Sequence, residues 1–464
     1  MLGIYDCIAA ISTPPGKGGV AVIRISGEGT PEIADKIFLP VLGKKLSEYH
    51  TRLAVYGRII DGGNVIDDGV AIKYSAPHSY TGEDTVEISC HGGILITRTV
   101  LEAALKLGAR LAEPGEFTKR ALINGRLSLT EAEAIGNLVE ARSLAEIKLT
   151  ACPARRRLIE RIDNIRKSLS ELMSSVYARI DYPDEDLGEF DERELADELY
   201  KIKDKMFLLL STYRTGRAIT EGISTAIVGK PNVGKSTVYN LLSGSDAAIV
   251  TDIPGTTRDV LTSTLPLGDV LLRISDTAGI RRGDDLDTVE RIGIERSRKA
   301  MEECELLFAI FDVSADFDKE DAELIEAVKC AKATKIAILN KTDKGAVLDR
   351  KKLEGIFDEV IEISAEKGED EAITLLKDTV ERLFLDEKIT VGEDAIVSSA
   401  RQHATLSRAY DFVSLAADAL KSGTPQDAVS SDLERALGAI AELDGREVSE
   451  EIVDGIFAKF CVGK

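Results

Sequence analysis

Residues 224–242 read STAIVGKPNVGKSTVYNLL, and their reading decides the fold of the middle of the chain. The run opens with β-branched and small apolar residues, passes through Gly229-x-x-x-x-Gly234-Lys235-Ser236, and continues with apolar residues at helical spacing. Chemistry explains the junction. Glycines let backbone N–H groups wrap phosphates, a lysine at the Lys235 position reaches the outer phosphates, and a hydroxyl at the Ser236 position ligates magnesium at a helix N-terminus. Asn232, Val233 and Thr237 complete the loop and the first helical turn. Outward from this stretch, β-runs alternate with helical segments from Gly222 to about residue 388, as a parallel α/β sheet requires.

Further pieces follow in chain order. TDIPGTTRD (251–259) supplies a loop of Thr251, Asp252, Ile253, Pro254, Gly255, Thr256 and Thr257, with Thr257 as a second magnesium ligand. DTAG (276–279) follows the strand-like VLLRIS. It offers Asp276 near magnesium and the Gly279 N–H near the γ-phosphate, with Thr277 and Ala278 between them. NKTD (340–343) brings Asn340, Lys341 and Asp343. The Asp343 carboxylate can accept both the N1–H and the exocyclic amine of guanine, a pair that adenine cannot offer. SAEK (364–367) adds Ser364 and Ala365, whose backbone would meet the guanine oxygen. Together these pieces specify a GTPase. Ile280 stands where a Ras-like enzyme carries the glutamine that orients the attacking water, so another group must do that work. The stretch RRGDDLDTVERIGIERS offers carboxylates for it, among them Asp285, Asp287 and Glu290.

A chain of 464 residues suggests about three domains. No apolar run approaches the roughly 18 residues of a membrane span, and no signal segment is visible, so a cytoplasmic, non-membrane protein is expected. With 59 Lys and Arg against 80 Asp and Glu, the formal charge is −21. General attraction to nucleic acid is therefore not built into the surface, and RNA must meet a local basic patch or be presented by a partner. Six cysteines stand singly beside only four histidines, which argues against a disulfide framework and a zinc site.

Around the middle segment the texture changes twice. Residues 1–118 mix short β-runs with Gly and Pro turns and read as an α/β domain. Residues 119–218 are rich in helix formers, interrupted by the acidic DYPDEDLGEF, and helical texture returns within 389–464. The last helices are too few to bury a core alone, so the α/β unit of 219–388 is read as inserted between two halves of one helical domain. The terminal FCVGK (460–464) leaves two readings open at this level. A Cys-a-a-X lipidation signal is disfavoured by the final lysine and the lack of an upstream basic cluster. Otherwise Phe460 and Cys461 are small core anchors of a last helix.

The chain resembles the MnmE (TrmE) family of tRNA modification GTPases. The resemblance runs nearly end to end: IAAISTPPGKGGVAVIRISG, SYTGEDTVEISCHGG, EPGEFTKRALINGRLSLTEAEAI, the nucleotide motifs with VERIGIERS, and FCVGK. It implies a multidomain α+β and α/β fold: an N-terminal α/β folate-binding and dimerisation domain, a helical domain, and a Ras-like P-loop G domain inserted into it. It implies a tetrahydrofolate one-carbon donor held by Arg24, Glu87, Arg126 and the terminal Lys464, with Cys461 and Lys464 folded back against the folate domain. Cations suit the acidic tail of a folate and a carboxylate suits its pterin edge. Potassium would be held by Asn232, Thr251, Ile253 and Thr256 beside GTP and Mg²⁺ (Ser236, Thr257), with Glu290 catalytic. The implied partners are a second copy of the chain, the flavoprotein MnmG, which would carry the FAD, and tRNA modified at C5 of the wobble uridine. Two other classes compete: a ribosome-assembly or regulatory GTPase, and a folate-dependent methyl-transfer enzyme without an RNA substrate.

Overall fold

The computed structural model describes residues 6–181, 192–244, 263–274, 300–424, 426–445, 450–458 and 460–463. It divides into two units: residues 1–136 with 441–464, and residues 137–440. In the first unit the strands are β1 (Ile8–Ile11), β2 (Gly18–Ser26), β3 (Phe38–Pro40), β4 (Ala54–Asp61), β5 (Asn64–Tyr74), β6 (Thr85–Gly92) and β7 (Arg110–Leu111). They form one sheet in the order β3-β4-β5-β6-β2-β1-β7. Among the described residues, only the β1–β7 pair of this sheet is parallel. Alternation explains how β2 is used. Ile23 and Ile25 are fully buried against α1 (Thr30–Ile37) and α2 (Ile94–Lys106), while Arg24 between them points to the other face.

That other face is covered by α3 (Glu116–Ile123), whose Phe117 packs with Ile8 and Ala10 of β1. Arg120, 3% exposed, pins α3 in place. It donates to the Asp6 carbonyl at 2.8 Å and the Asp6 carboxylate at 2.6 Å, and pairs with Glu116 at 3.0 Å and Glu83 at 3.2 Å. A buried guanidinium is tolerated because its donors are met in this way. After α3 the chain enters α4 (Leu129–Glu140).

The second unit begins with α5 (Leu144–Thr150), α6 (Cys152–Asp181), α7 (Glu192–Ser211) and α8 (Tyr213–Thr220). Residues 182–190 of the acidic turn, and Asp191 after it, lie outside the described residues. Next come β8 (Ile223–Val228), α9 (Lys235–Gly244), β9 (Ser263–Leu267), β10 (Val270–Ile274), β11 (Leu306–Asp312), α10 (Lys319–Cys330), β12 (Thr334–Asn340), β13 (Glu359–Glu362) and α11 (Glu369–Phe384). The sheet order is β13-β12-β11-β8-β10-β9, parallel except for β9. β11 reads LLFAIFD with its first six residues buried, as a central strand covered on both faces must be. The α/β reading of the middle of the chain is met by this sheet.

α12 (Ala400–Lys421) and α13 (Gln426–Asp444) follow. α12 packs along α7, where Tyr200 donates to Asp418 at 2.8 Å and Phe207 lies 6.4 Å from Tyr410 between ring centroids. The way into and out of the sheet is strapped at α8. Thr212, just before it, accepts from the Val397 N–H at 3.0 Å, and Thr215 accepts from the Asp386 N–H at 3.1 Å.

α14 (Glu450–Phe457) belongs to the first unit, and it stops before the terminal segment. Phe457 is buried, but Cys461 is exposed, so the helix-anchor reading fails for Cys461. The backbone beyond the helix makes the contacts instead. The Gly115 N–H donates to the Cys461 carbonyl at 3.4 Å, Val462 forms a β-bridge with Pro114, and the Ser12 hydroxyl donates to the Gly463 carbonyl at 3.1 Å. Gly463 has φ 101°, and a Cβ there would stand 2.4 Å from the Ile11 carbonyl. Only glycine fits that approach.

Candidate functional site

β8 lies between β11 and β10, so the chain leaves the sheet to opposite sides around it and opens a crevice at its carboxyl end. The loop of residues 229–234 fills this place, and Lys235 and Ser236 open α9. Asn232 is left-handed at φ 64°. Gly234 has φ 103°, and a Cβ on it would lie 2.2 Å from the Asn340 amide nitrogen, so this glycine permits both the turn and the neighbour. Lys235 Nζ donates to the carbonyls of Gly229 at 3.0 Å and Lys230 at 2.8 Å, an ammonium held at the mouth of the loop.

Asn340 ends β12 and is 3% exposed. Its amide donates to the Val233 carbonyl at 3.0 Å, and its side-chain oxygen accepts from the Ala365 N–H at 3.1 Å. One side chain thus fastens the phosphate-type loop to the segment after β13. Lys341, left-handed at φ 69°, donates to the Asn232 carbonyl and to Asp312, each at 2.6 Å. Burial pushes the Asp312 carboxyl up, but the Lys341 ammonium and Ser314 outweigh it and hold it below the usual range. Asp343 accepts from Ser364 at 2.9 Å and pairs with Lys367 at 3.0 Å. The Lys367 ammonium and the Ser364 hydroxyl hold its carboxyl below the ordinary value, so the group is an ionised acceptor at neutral pH. Sequence reading missed Asp312. The available signal was an acidic residue closing a wholly apolar strand, a place where a carboxylate needs a partner.

Of the remaining nucleotide-site residues, Thr237 lies in α9. Thr251 to Thr257, Asp276 to Gly279, Ile280, Asp285, Asp287, Glu290 and Lys464 lie outside the described residues.

In the first unit, β2–β6 register sets Arg24 opposite Glu87, and the two pair at 2.8 Å. The Arg24 guanidinium also lies 5.2 Å from the Tyr80 ring and 5.5 Å from the Phe117 ring. Glu87 keeps a second oxygen whose contact is a long 3.5 Å from the Tyr74 hydroxyl. Arg126 comes to the same turn, its side-chain carbons beside Gly82, while Asn124 donates to the Thr81 carbonyl at 2.8 Å. The terminal segment ends nearby in the sheet. Gly463 rests on Ile11 and Ser12, next to Ala10, the register partner of Arg24. Arg24 and Glu87 thus meet directly beside the Tyr80 and Phe117 rings, while Arg126 stands at the turn of Gly82 and residues 461–463 rest along Ile11, Ser12, Pro114 and Gly115.

Comparison with known proteins matches nearly the whole chain. A family model described as "GTP-binding protein TrmE N-terminus" matches residues 7–126, and one described as "MnmE helical domain" matches residues 129–461. The tRNA modification GTPase MnmE of Caldicellulosiruptor saccharolyticus is 40% identical over 462 residues, covering 99% of this chain and 100% of that protein. Its counterpart in Thermotoga maritima is 39% identical over 462 residues, and that in Bacillus velezensis 38% over 462, each with 99% of this chain and 100% of the relative covered. Matched at this identity along the whole of its relatives, with the N-terminal and helical models both in place, the chain belongs to the MnmE (TrmE) family of tRNA modification GTPases.

Proposed function

We propose that this chain hydrolyses GTP and couples that hydrolysis to modification of C5 of the wobble uridine in certain tRNAs, acting with the flavoprotein MnmG and a folate one-carbon unit. The observation that carries the reading is Asn340, which ties the Val233 carbonyl of the phosphate loop to the Ala365 amide. A loop built for phosphates and a carboxylate suited to guanine are thereby held in one site. The division of labour follows the chain: residues 1–118 for folate and dimer formation, 119–218 and 389–464 for the helical domain, and 219–388 for the G domain.

The residues present suit the groups this reading requires. Ser236, at the first turn of α9, offers an oxygen donor for Mg²⁺, and Thr257 would add a second. Asn232 would contribute to a K⁺ site together with Thr251, Ile253 and Thr256. A cation there would neutralise charge that builds on the phosphates as the bond breaks. Glu290 would orient the attacking water, the work for which Ile280 is chemically unfit. Arg24 and Arg126 suit the acidic end of a tetrahydrofolate, and the remaining oxygen of Glu87 suits its pterin edge.

A homodimer through the first unit is supported by Leu39, Val41, Leu42 and Tyr56 beside the edge strand β3, which are 48%, 66%, 81% and 57% exposed. Apolar side chains gathered on a sheet edge favour a covering partner. Assembly with MnmG into a heterotetramer and a cytoplasmic location complete the proposal. No helix among the described residues is long and apolar enough to cross a membrane.

The test is GTP turnover by the purified chain in potassium and in sodium at equal ionic strength. Potassium is expected to raise turnover by about 10-fold or more. Equal rates would remove the ion from the mechanism, and no hydrolysis in either salt would remove the enzyme reading.

A further inference from the structure

Two lysines tie the phosphate loop to its neighbours, one to the end of β11 and one to the start of α10. Lys341 does so through Asp312. The second is Lys230, whose side chain donates to Asp318 and to Asp321, each at 2.7 Å. Those carboxylates cap α10 reciprocally. The Asp321 N–H donates to Asp318 at 3.0 Å, and the Asp318 N–H donates to Asp321 at 3.2 Å. A capping box needs no lysine, so the ammonium must be explained separately. Asp321 is 2% exposed, and its Oδ1 has no hydrogen-bond partner among the described residues. Lys230 therefore supplies the counter-charge that a carboxylate buried in this way requires. At the same time the backbone carbonyl of Lys230 accepts from Lys235 Nζ at 2.8 Å. The side chain of one residue is fixed to α10, and its backbone holds the lysine that would reach the phosphates.

We infer that Lys230 is a positioning residue for nucleotide binding: it clamps the start of the phosphate loop to the N-terminus of α10, so that the loop is ordered before the nucleotide arrives. The inference rests on reading residues 229–236 as the nucleotide cradle. A loop fixed in advance loses less conformational freedom on binding. That gain is shared by GDP, by GTP and by the transition state alike, so it belongs in Kd and KM and leaves kcat nearly untouched.

The experiment measures binding of a fluorescent GDP analogue and steady-state GTP turnover on the full-length chain, for Lys230→Met, Lys230→Arg, Asp321→Asn and the Lys230→Met/Asp321→Asn double variant. Asn at position 321 keeps an oxygen for the cap and removes the charge. Lys230→Met is expected to raise both Kd and KM by about 10-fold with kcat changed less than about 3-fold, Lys230→Arg to restore most of the loss, and the double variant to be no weaker than the weaker single one. An unchanged Kd in Lys230→Met would overturn the clamp, and so would fully additive losses in the double variant. If Lys230→Met fails to fold, Asp318→Asn at the exposed end of the same contact serves. A rise in Kd of about 3-fold supports the clamp, and no change overturns it. Failure of the unaltered chain to bind GDP would instead sink the reading of the cradle itself.

Discussion

Asp343→Asn should weaken GTP binding by ~10³-fold and carry the preference of the protein towards xanthine nucleotides. Guanine presents two donors to this position, and an ionised carboxylate accepts both. Lys367 and Ser364 hold Asp343 in that ionised form, with its carboxyl below the ordinary value. An asparagine can accept only one of the two and turns an N–H donor towards the second. Xanthine carries a carbonyl in place of the amine, so the same change that rejects guanine accepts xanthine. Competition of GTP, XTP and ATP against a labelled nucleotide reads the outcome. A variant that keeps its preference for GTP and gains nothing for XTP would place base recognition elsewhere.

Deleting Cys461 to Lys464 should abolish tRNA modification and weaken folate binding by about 10-fold or more, while potassium-stimulated GTP hydrolysis stays close to normal. The deletion removes the Val462 bridge to Pro114, the carbonyl that receives the Gly115 N–H, and Gly463 with its bond from Ser12. All three anchors lie on the first unit, against β1 and the start of α3. Gly115 stands two residues before Phe117, whose ring borders Arg24. Loosening the end of the chain therefore loosens the start of α3 beside Arg24, and the nucleotide cradle loses no described contact. Normal folate affinity with normal tRNA modification in the truncated chain would show that this end plays no part in the site. Cys461→Ser then separates a positioning role, which tolerates the hydroxyl in part, from a thiolate nucleophile, which does not.

Legibility in the sequence followed the range of the interactions. The loop of 229–236 could be read because each residue type there does one local thing: glycine permits a close approach, lysine carries charge outward, and a hydroxyl begins a helix. The strand and helix alternation that follows could be read for the same reason, since burial on both faces of β11 leaves an unbroken apolar run. The partners of Asp312, Lys230 and Asp321 could not be read in this way, although the position of Asp312 at the end of an apolar strand marks its need for one. Lys341 meets Asp312 across 29 residues and Lys230 meets Asp321 across 91, and no local pattern marks such a pairing. Arg24 and Glu87 alternate correctly along their strands, but only the register of β2 on β6 sets them opposite each other. The end of the chain is the extreme case, because Ser12 and Gly463 are 451 residues apart. Its fold-back is implied only by the family resemblance, since the helix-anchor reading of the residues alone puts in a core a Cys461 that is exposed.

The most direct measurement is nucleoside analysis of total tRNA from cells that lack this chain, compared with the same cells supplied with the full-length protein, with Asp343→Asn, or with the chain lacking Cys461 to Lys464. The aminomethyl-type substituent at C5 of the wobble uridine should disappear without the chain, return with the full-length protein, and fail to return with either variant. A wobble uridine that keeps its substituent when the chain is absent would contradict a role in tRNA modification, whatever the rate of GTP hydrolysis.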